Sequence, residues 1–137
     1  MSIEQNLEII KNALSNGENV LITGNAGVGK TTLLRTLERD LEAEQDTKVV
    51  YFSGYEHQSS YYETALNEVE IAELINMKQG KKVILIDGLF SFQNTLTYVR
   101  KSTRIVAVEQ NINESQLKKQ MEHSRVADIN FTKIINL

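Results

Sequence analysis

Residues 24–31, Gly24-Asn25-Ala26-Gly27-Val28-Gly29-Lys30-Thr31, set glycines, a lysine and a threonine in the spacing Gly-x-x-x-x-Gly-Lys-[Ser/Thr]. Each residue type has a physical job at its place. Gly24, Gly27 and Gly29 lack a Cβ, so the backbone can turn tightly and its amides can come close to a ligand. Successive N–H groups in such a turn converge on an anion. A helix beginning after Gly29 would add its own unpaired amides and the positive end of its dipole. Lys30 can then reach the β- and γ-phosphates of a nucleotide, and the Thr31 hydroxyl can hold Mg²⁺. The candidate nucleotide-binding set is Gly24, Asn25, Ala26, Gly27, Val28, Gly29, Lys30, Thr31 and Thr32.

A second constellation is Lys82-Val83-Ile84-Leu85-Ile86-Asp87, an apolar run ending in an acid. A carboxylate at the C-terminal end of a strand neighbouring the glycine turn can help hold Mg²⁺, usually through water. Alone, the run would read as an ordinary buried strand with an exposed last residue. With the phosphate-binding pattern upstream, Thr31 and Asp87 become the candidate metal ligands. Glu109 and Gln110, just past another apolar run, and Glu56, in a polar loop, are candidates to orient or activate a water; Asn111 is a weaker one. The alternative for each is a solvated loop residue. Lys30, Glu109 and Glu56 form the candidate catalytic set.

The elements that must position these groups follow from periodicity. Ser2 with Gln5 makes a capping box, and Ile3, Leu7, Ile10 and Leu14 form a stripe, so residues 2–16 read as a helix ended by Gly17. Val20-Leu21-Ile22-Thr23 is a strand, and Leu33, Leu34, Leu37 and Leu41 mark a helix over 30–43. Strands are expected at 48–52, 83–87 and 105–108, and a last one at a sheet edge within 127–135. Helices are expected at about 61–78, capped by Ser60 and Glu63 and ended by Gly80, at 91–101, and at 114–123, where Asn113 and Gln116 cap and Ile112 staples onto Leu117. Short, wholly apolar strands alternating with helices imply parallel βαβ units in a sheet covered on both faces.

Together the two motifs resemble the P-loop NTPase superfamily, in its additional-strand ATPase branch; the first is its Walker A pattern. The match is strong over about 18–37 and fair over 82–88. The resemblance implies a three-layer α/β/α fold with a mostly parallel central sheet of about five strands, and ATP and Mg²⁺ as ligands. Many ATPases of that branch place a glutamate directly after the strand acid, where it activates the attacking water. This chain has Gly88 there. Asn19 to Gly24 with Thr31-Thr32-Leu33-Leu34 is similar to secretion and conjugation ATPases and to signalling ATPases. Ile86-Asp87-Gly88-Leu89 resembles the start of the latter's Asp-Gly-Leu-Asp-Glu segment, with Phe90 and Ser91 in place of its acids. Both families carry further domains, so a reduced or partner-dependent core is expected. There is no Asn-Lys-x-Asp for guanine selection and no Leu-Ser-Gly-Gly signature of transporter ATPases. Three readings stay open: a slow or partner-stimulated ATPase, a non-hydrolysing nucleotide-dependent switch, and a small-molecule phosphotransferase.

The bulk numbers bound these readings. At 137 residues, one P-loop nucleotide-binding domain over 1–137 is expected. No apolar run approaches the ~20 residues of a membrane span. No cysteine is present, so disulfides and thiolate metal sites are excluded. Glu4 and Glu8 and the absence of a leading apolar segment argue against a secretory signal, and a cytoplasmic location is expected. A net charge of −3 argues against a basic nucleic-acid binder overall but not against a local patch. Arg100, Lys101 and Arg104 form one basic cluster, and Lys118, Lys119 and Arg125 another. Either suits nucleic-acid phosphates or a neighbouring subunit in a homo-oligomer, although a solvated charged face accounts for both. Tyr51, Phe52, Tyr55, Tyr61 and Tyr62 cluster around the second strand, where some serve as core, and Tyr55 could stack on a base. His57 and His123 lack acidic partners at metal spacing, so no zinc site is expected.

Overall fold

A computed structural model describes residues 2–24, 27–53, 68–89, 93–110, 114–124 and 126–137. Helix α1 spans Ile3–Ser15 and starts on the expected capping box. The Ser2 Oγ accepts from the Gln5 amide at 3.2 Å, and the Ser2 amide donates to Gln5 Oε1 at 3.0 Å. Leu7 and Ile10 of the stripe are buried, joined by Asn6 and Ala13. Ile3 stays exposed, so the buried face is rotated slightly from the sequence stripe.

Strand β1 (Asn19–Gly24) is followed by α2 (Lys30–Glu42), β2 (Thr47–Ser53), α3 (Glu68–Asn76) and β3 (Lys81–Asp87). Then come α4 (Gln93–Tyr98), β4 (Arg104–Gln110), α5 (Glu114–Glu122) and β5 (Phe131–Asn136). The capping box of Ser60 and Glu63, and the Asn113 cap with its Ile112 staple, lie outside the described residues. No helix among the described residues is long and apolar enough to cross a membrane.

The five strands form one sheet in the order β2-β3-β4-β1-β5, every pair parallel. The strand at 131–136 lies at the edge, as expected. The order corrects one expectation. β3, which carries Asp87, does not neighbour β1; β4 is inserted between them as the additional strand. Strand alternation sends side chains into two separate cores. On one face Val20 and Ile22, Val83 and Leu85, and Val106 and Val108 pack with Leu7 and Ile10 of α1 and Leu33, Leu34, Leu37 and Leu41 of α2. On the other, Leu21, Phe52, Ile84, Ile86, Ile105 and Ala107 pack with Ile71 and Ile75 of α3, Leu96 of α4 and Leu117 of α5. This is a three-layer α/β/α fold.

Where β2 and β3 begin, two backbones touch. Lys81 donates its amide to the Asp46 carbonyl at 2.9 Å. Gly80 has φ +83°, and a Cβ there would lie 2.6 Å from the same carbonyl oxygen. Gly80→Ala is therefore expected to destabilise the fold by at least the roughly 1–2 kcal/mol of a left-handed non-glycine residue. Urea denaturation reads this as a lowered midpoint; an unchanged midpoint would refute the reading.

Candidate functional site

The glycine turn sits at the C-terminal edge of the parallel sheet, where open α/β sheets bind ligands. Gly24 ends β1 under close approach by Leu137. The Leu137 amide donates to the Thr23 carbonyl at 2.8 Å, and Thr23 Oγ1 bonds Asn136 Oδ1. A Cβ on Gly24 would stand 2.8 Å from the Leu137 carbonyl oxygen, so packing alone demands glycine here. Gly29 occupies the N-cap of α2 at φ +94° and ψ 18°, with no side-chain cap. The first amides of α2 thus receive no side-chain oxygen from their cap residue, and an anion would complete them. Asn25 and Ala26 lie outside the described residues. Val28 is exposed and borders a hollow of about 400 Å³, together with Asn6, Ile9, Lys133 and Leu137. Thr32 is exposed on the first turn of α2, and its carbonyl accepts the Thr36 hydroxyl at 2.8 Å.

Lys30 and Asp87 are both buried, at 5 % and 4 % exposure. Burial pushes the Lys30 ammonium below its ordinary value of 10.5, and the neighbouring Asp87 carboxylate opposes that shift. Thr31 Oγ1 donates to Asp87 Oδ2 at 2.7 Å. The start of α2 and the end of β3 therefore meet across the intervening β4, although the two strands are not neighbours. A hydroxyl and a carboxylate at this separation are hard oxygen donors of the kind Mg²⁺ takes, with phosphate oxygens and water for the rest of its shell. Among the described residues no group of three His, Cys, Asp or Glu side chains is arranged to hold a metal alone.

Two residues not singled out for this site join it. The Tyr51 hydroxyl also reaches Asp87 Oδ2, at 3.4 Å, and the Arg35 guanidinium lies 3.5 Å over the Tyr51 ring. Arg35 in turn pairs with Glu38 at 3.0 Å. The signal for Arg35 was its helical spacing of one turn from Thr31. The signal for Tyr51 was its alternation with Val49 on the α2 face of β2.

The remaining candidates divide. Glu109 pairs in register with Thr23, and Gln110 with Gly24, so β4 ends beside the turn. Strand alternation groups the half-buried Glu109 with Ile105 and Ala107, on the face opposite that of Asp87 and its register partner Val108. Glu56, Tyr55, His57 and Asn111 lie outside the described residues. Gly88 takes φ +107° and donates its amide to the Val108 carbonyl at 3.0 Å. Arg104 is half-buried, with its guanidinium on the Gly17 and Lys101 carbonyls at the far edge of the sheet. Arg125 lies outside the described residues.

A family model described as "AAA ATPase domain" matches residues 4–110. No curated protein matches the chain significantly. Among solved structures, the Thermotoga maritima RuvB Holliday junction branch migration motor is 18% identical, with a TM-score of 0.54 over 98% of this chain and 44% of that one. A structure of Drosophila ORC bound to DNA is 14% identical, with a TM-score of 0.59 over 95% of this chain and 40% of that one. A structure of two coordinating Pif1 helicases unwinding forked duplex DNA is 14% identical, with a TM-score of 0.51 over 96% of this chain and 42% of that one. At these identities the likeness is one of fold, and the chain spans less than half of each.

The buried lysine generates a prediction for the protein without nucleotide. A lysine whose folded-state value is depressed costs stability while protonated. That cost is fully present below the lowered value and fades as pH rises toward 10.5, because the unfolded chain holds the proton longer. Lys30→Met should be at least as stable as the parent near neutral pH, and the parent should gain on it as pH rises toward 10.5. Chemical denaturation across that range checks both. A less stable variant with a pH-independent gap would contradict the charge-burial account.

Proposed function

The chain belongs to the AAA ATPase domain family, and from that premise we propose that it binds ATP with Mg²⁺ and hydrolyses it slowly, or at a useful rate only with a partner. The observation that carries this is the Thr31–Asp87 hydrogen bond at 2.7 Å, one residue along α2 from the buried Lys30. In this reading the backbone of Gly24, Asn25, Ala26, Gly27, Val28 and Gly29, with the first amides of α2 through Thr32, holds the phosphates. Lys30 neutralises charge on the β- and γ-phosphates and on the γ-phosphoryl group as it leaves. Thr31 and Asp87, already 2.7 Å apart, would hold Mg²⁺ through their oxygens. When bound, Mg²⁺ supplies charge neutralisation across the phosphate oxygens. Val28 and the hollow beside it offer an apolar wall for the base.

Water activation is the weak part of the site. Gly88 stands where many ATPases of this branch place a glutamate, and its left-handed backbone suits glycine rather than an acid. Glu109 at the end of β4 and Glu56 are the residues proposed to orient the water. Gly88 also favours a second reading, a nucleotide-dependent switch that binds without turnover. Either reading suits one nucleotide-binding unit over 1–137 in the cytoplasm, working with a further copy or a protein partner.

Lys30→Ala should weaken binding of a fluorescent ATP analogue roughly 100-fold, about 2.8 kcal/mol. Unchanged affinity would sink the assignment. Steady phosphate release by the parent, abolished in Asp87→Ala, would select the ATPase over the switch. Gly88→Glu should not raise turnover, since a glutamate there must adopt a strained backbone or displace it. A large gain in phosphate release by that variant would overturn this account of Gly88.

A further inference from the structure

The edge of the sheet opposite the glycine turn carries a charge pattern that nucleotide binding does not use. β2, β3 and β4 begin there side by side, with Lys48 paired to Lys82 and Val83 to Arg104. Lys48, Lys78, Lys81, Arg100 and Lys101 are exposed, and Lys82 is half-buried. Among the described residues, none of these six cations takes part in an ion pair. Acids stand at this edge as well: Glu18 before β1, Glu44 and Asp46 before β2, Asp128 before β5, and Glu42 and Glu122 where α2 and α5 end.

Two exposed side chains stand at the same edge, where α3 and α4 end. Tyr98 is 50% exposed and Met77 73% exposed. Asn76 ties the two helix ends together. Its Nδ2 donates to the Tyr98 carbonyl at 3.1 Å, and its Oδ1 accepts the Arg100 amide at 3.0 Å. An exposed aromatic ring is thus held two residues from an exposed guanidinium on a braced turn. Hollows flank that turn. One of about 410 Å³ is lined by Arg100, Lys101 and Thr103 among others, and one of about 510 Å³ by Lys81, Lys82 and Ser102 among others. The Thr103 hydroxyl is buried without a hydrogen-bond partner among the described residues, so the first hollow has a polar group to offer a ligand.

We propose that this edge binds single-stranded nucleic acid. The backbone phosphates lie along Lys48, Lys81, Lys82, Arg100 and Lys101, and one base stacks on Tyr98. The combination separates this ligand from others: cations with no acidic partner among the described residues suit any polyanion, while an exposed aromatic face among them suits an unpaired base. A duplex keeps its base faces covered, and an acidic peptide gains nothing from the ring. The surface lies across the sheet from the phosphate site, so both ligands can be held at once.

Fluorescence anisotropy of a labelled oligothymidylate of about 20 nucleotides tests this on the full chain. Binding should weaken with salt, with a log–log slope of about −3.5 for these five phosphate contacts. Arg100→Glu with Lys101→Glu should weaken it at least tenfold at low salt. Tyr98→Ala should weaken it about tenfold, and Tyr98→Phe should restore it. Affinity for the ATP analogue should hold in all of these variants, while Lys30→Ala should leave oligonucleotide binding intact, so the two sites fail separately. No binding by the parent chain overturns the proposal. So does equal affinity for duplex DNA of the same length. Equal competition by polyglutamate, with no effect of Tyr98→Ala, assigns the face to an acidic protein instead.

Discussion

A carboxylate buried to 4 % exposure must be paid for by partners, and Asp87 has them on three sides. Thr31 and Tyr51 both donate to its Oδ2, and the Lys30 ammonium stands near enough to feel its field. The rest of the fold can be read as what this requires. β3 must run deep enough to carry Asp87 inside, and its apolar run from Val83 to Ile86 does that. α2 must begin at the same sheet edge, which the left-handed Gly29 arranges. β2 must present Tyr51 on the α2 face, which its register with β3 fixes. Leu33, Leu34 and Leu37 then hold α2 against the sheet, so that the hydroxyl and the carboxylate stay in contact.

The two buried ions do not simply cancel. The lysine's desolvation outweighs its attraction to Asp87, and the net effect is a lysine less willing to carry its proton. A bound polyphosphate would add negative charge beside it and reverse that balance.

Much of this was legible in the sequence because it is written locally. The Ser2–Gln5 capping box, the apolar runs of the strands and the glycine spacing each depend on residues within a turn of one another, and each appears at its expected place. The strand order was less legible. That β4 separates β3 from β1 depends on which strands pair across eighty residues or more, and periodicity does not carry that information. Tyr51 and Arg35 escaped for the same reason: one belongs to β2 and the other to α2, and only packing makes them a stacked pair beside Asp87. Gly88 was legible as a missing acid, but its φ of +107° and its amide bond to the Val108 carbonyl were not, because both involve a strand twenty residues on.

The join between β5 and the glycine turn has a mechanical meaning. Leu137 and Asn136 grip the Thr23 backbone and side chain, and the Leu137 carbonyl fills the space a side chain on Gly24 would need. Among the described strands β5 lies at the edge, with β1 as its single neighbour. A load applied along β5 would reach the root of the glycine turn through the β1–β5 ladder and through the two bonds at Thr23. The turn is coupled in series to the edge of the sheet, like a trigger to its bar.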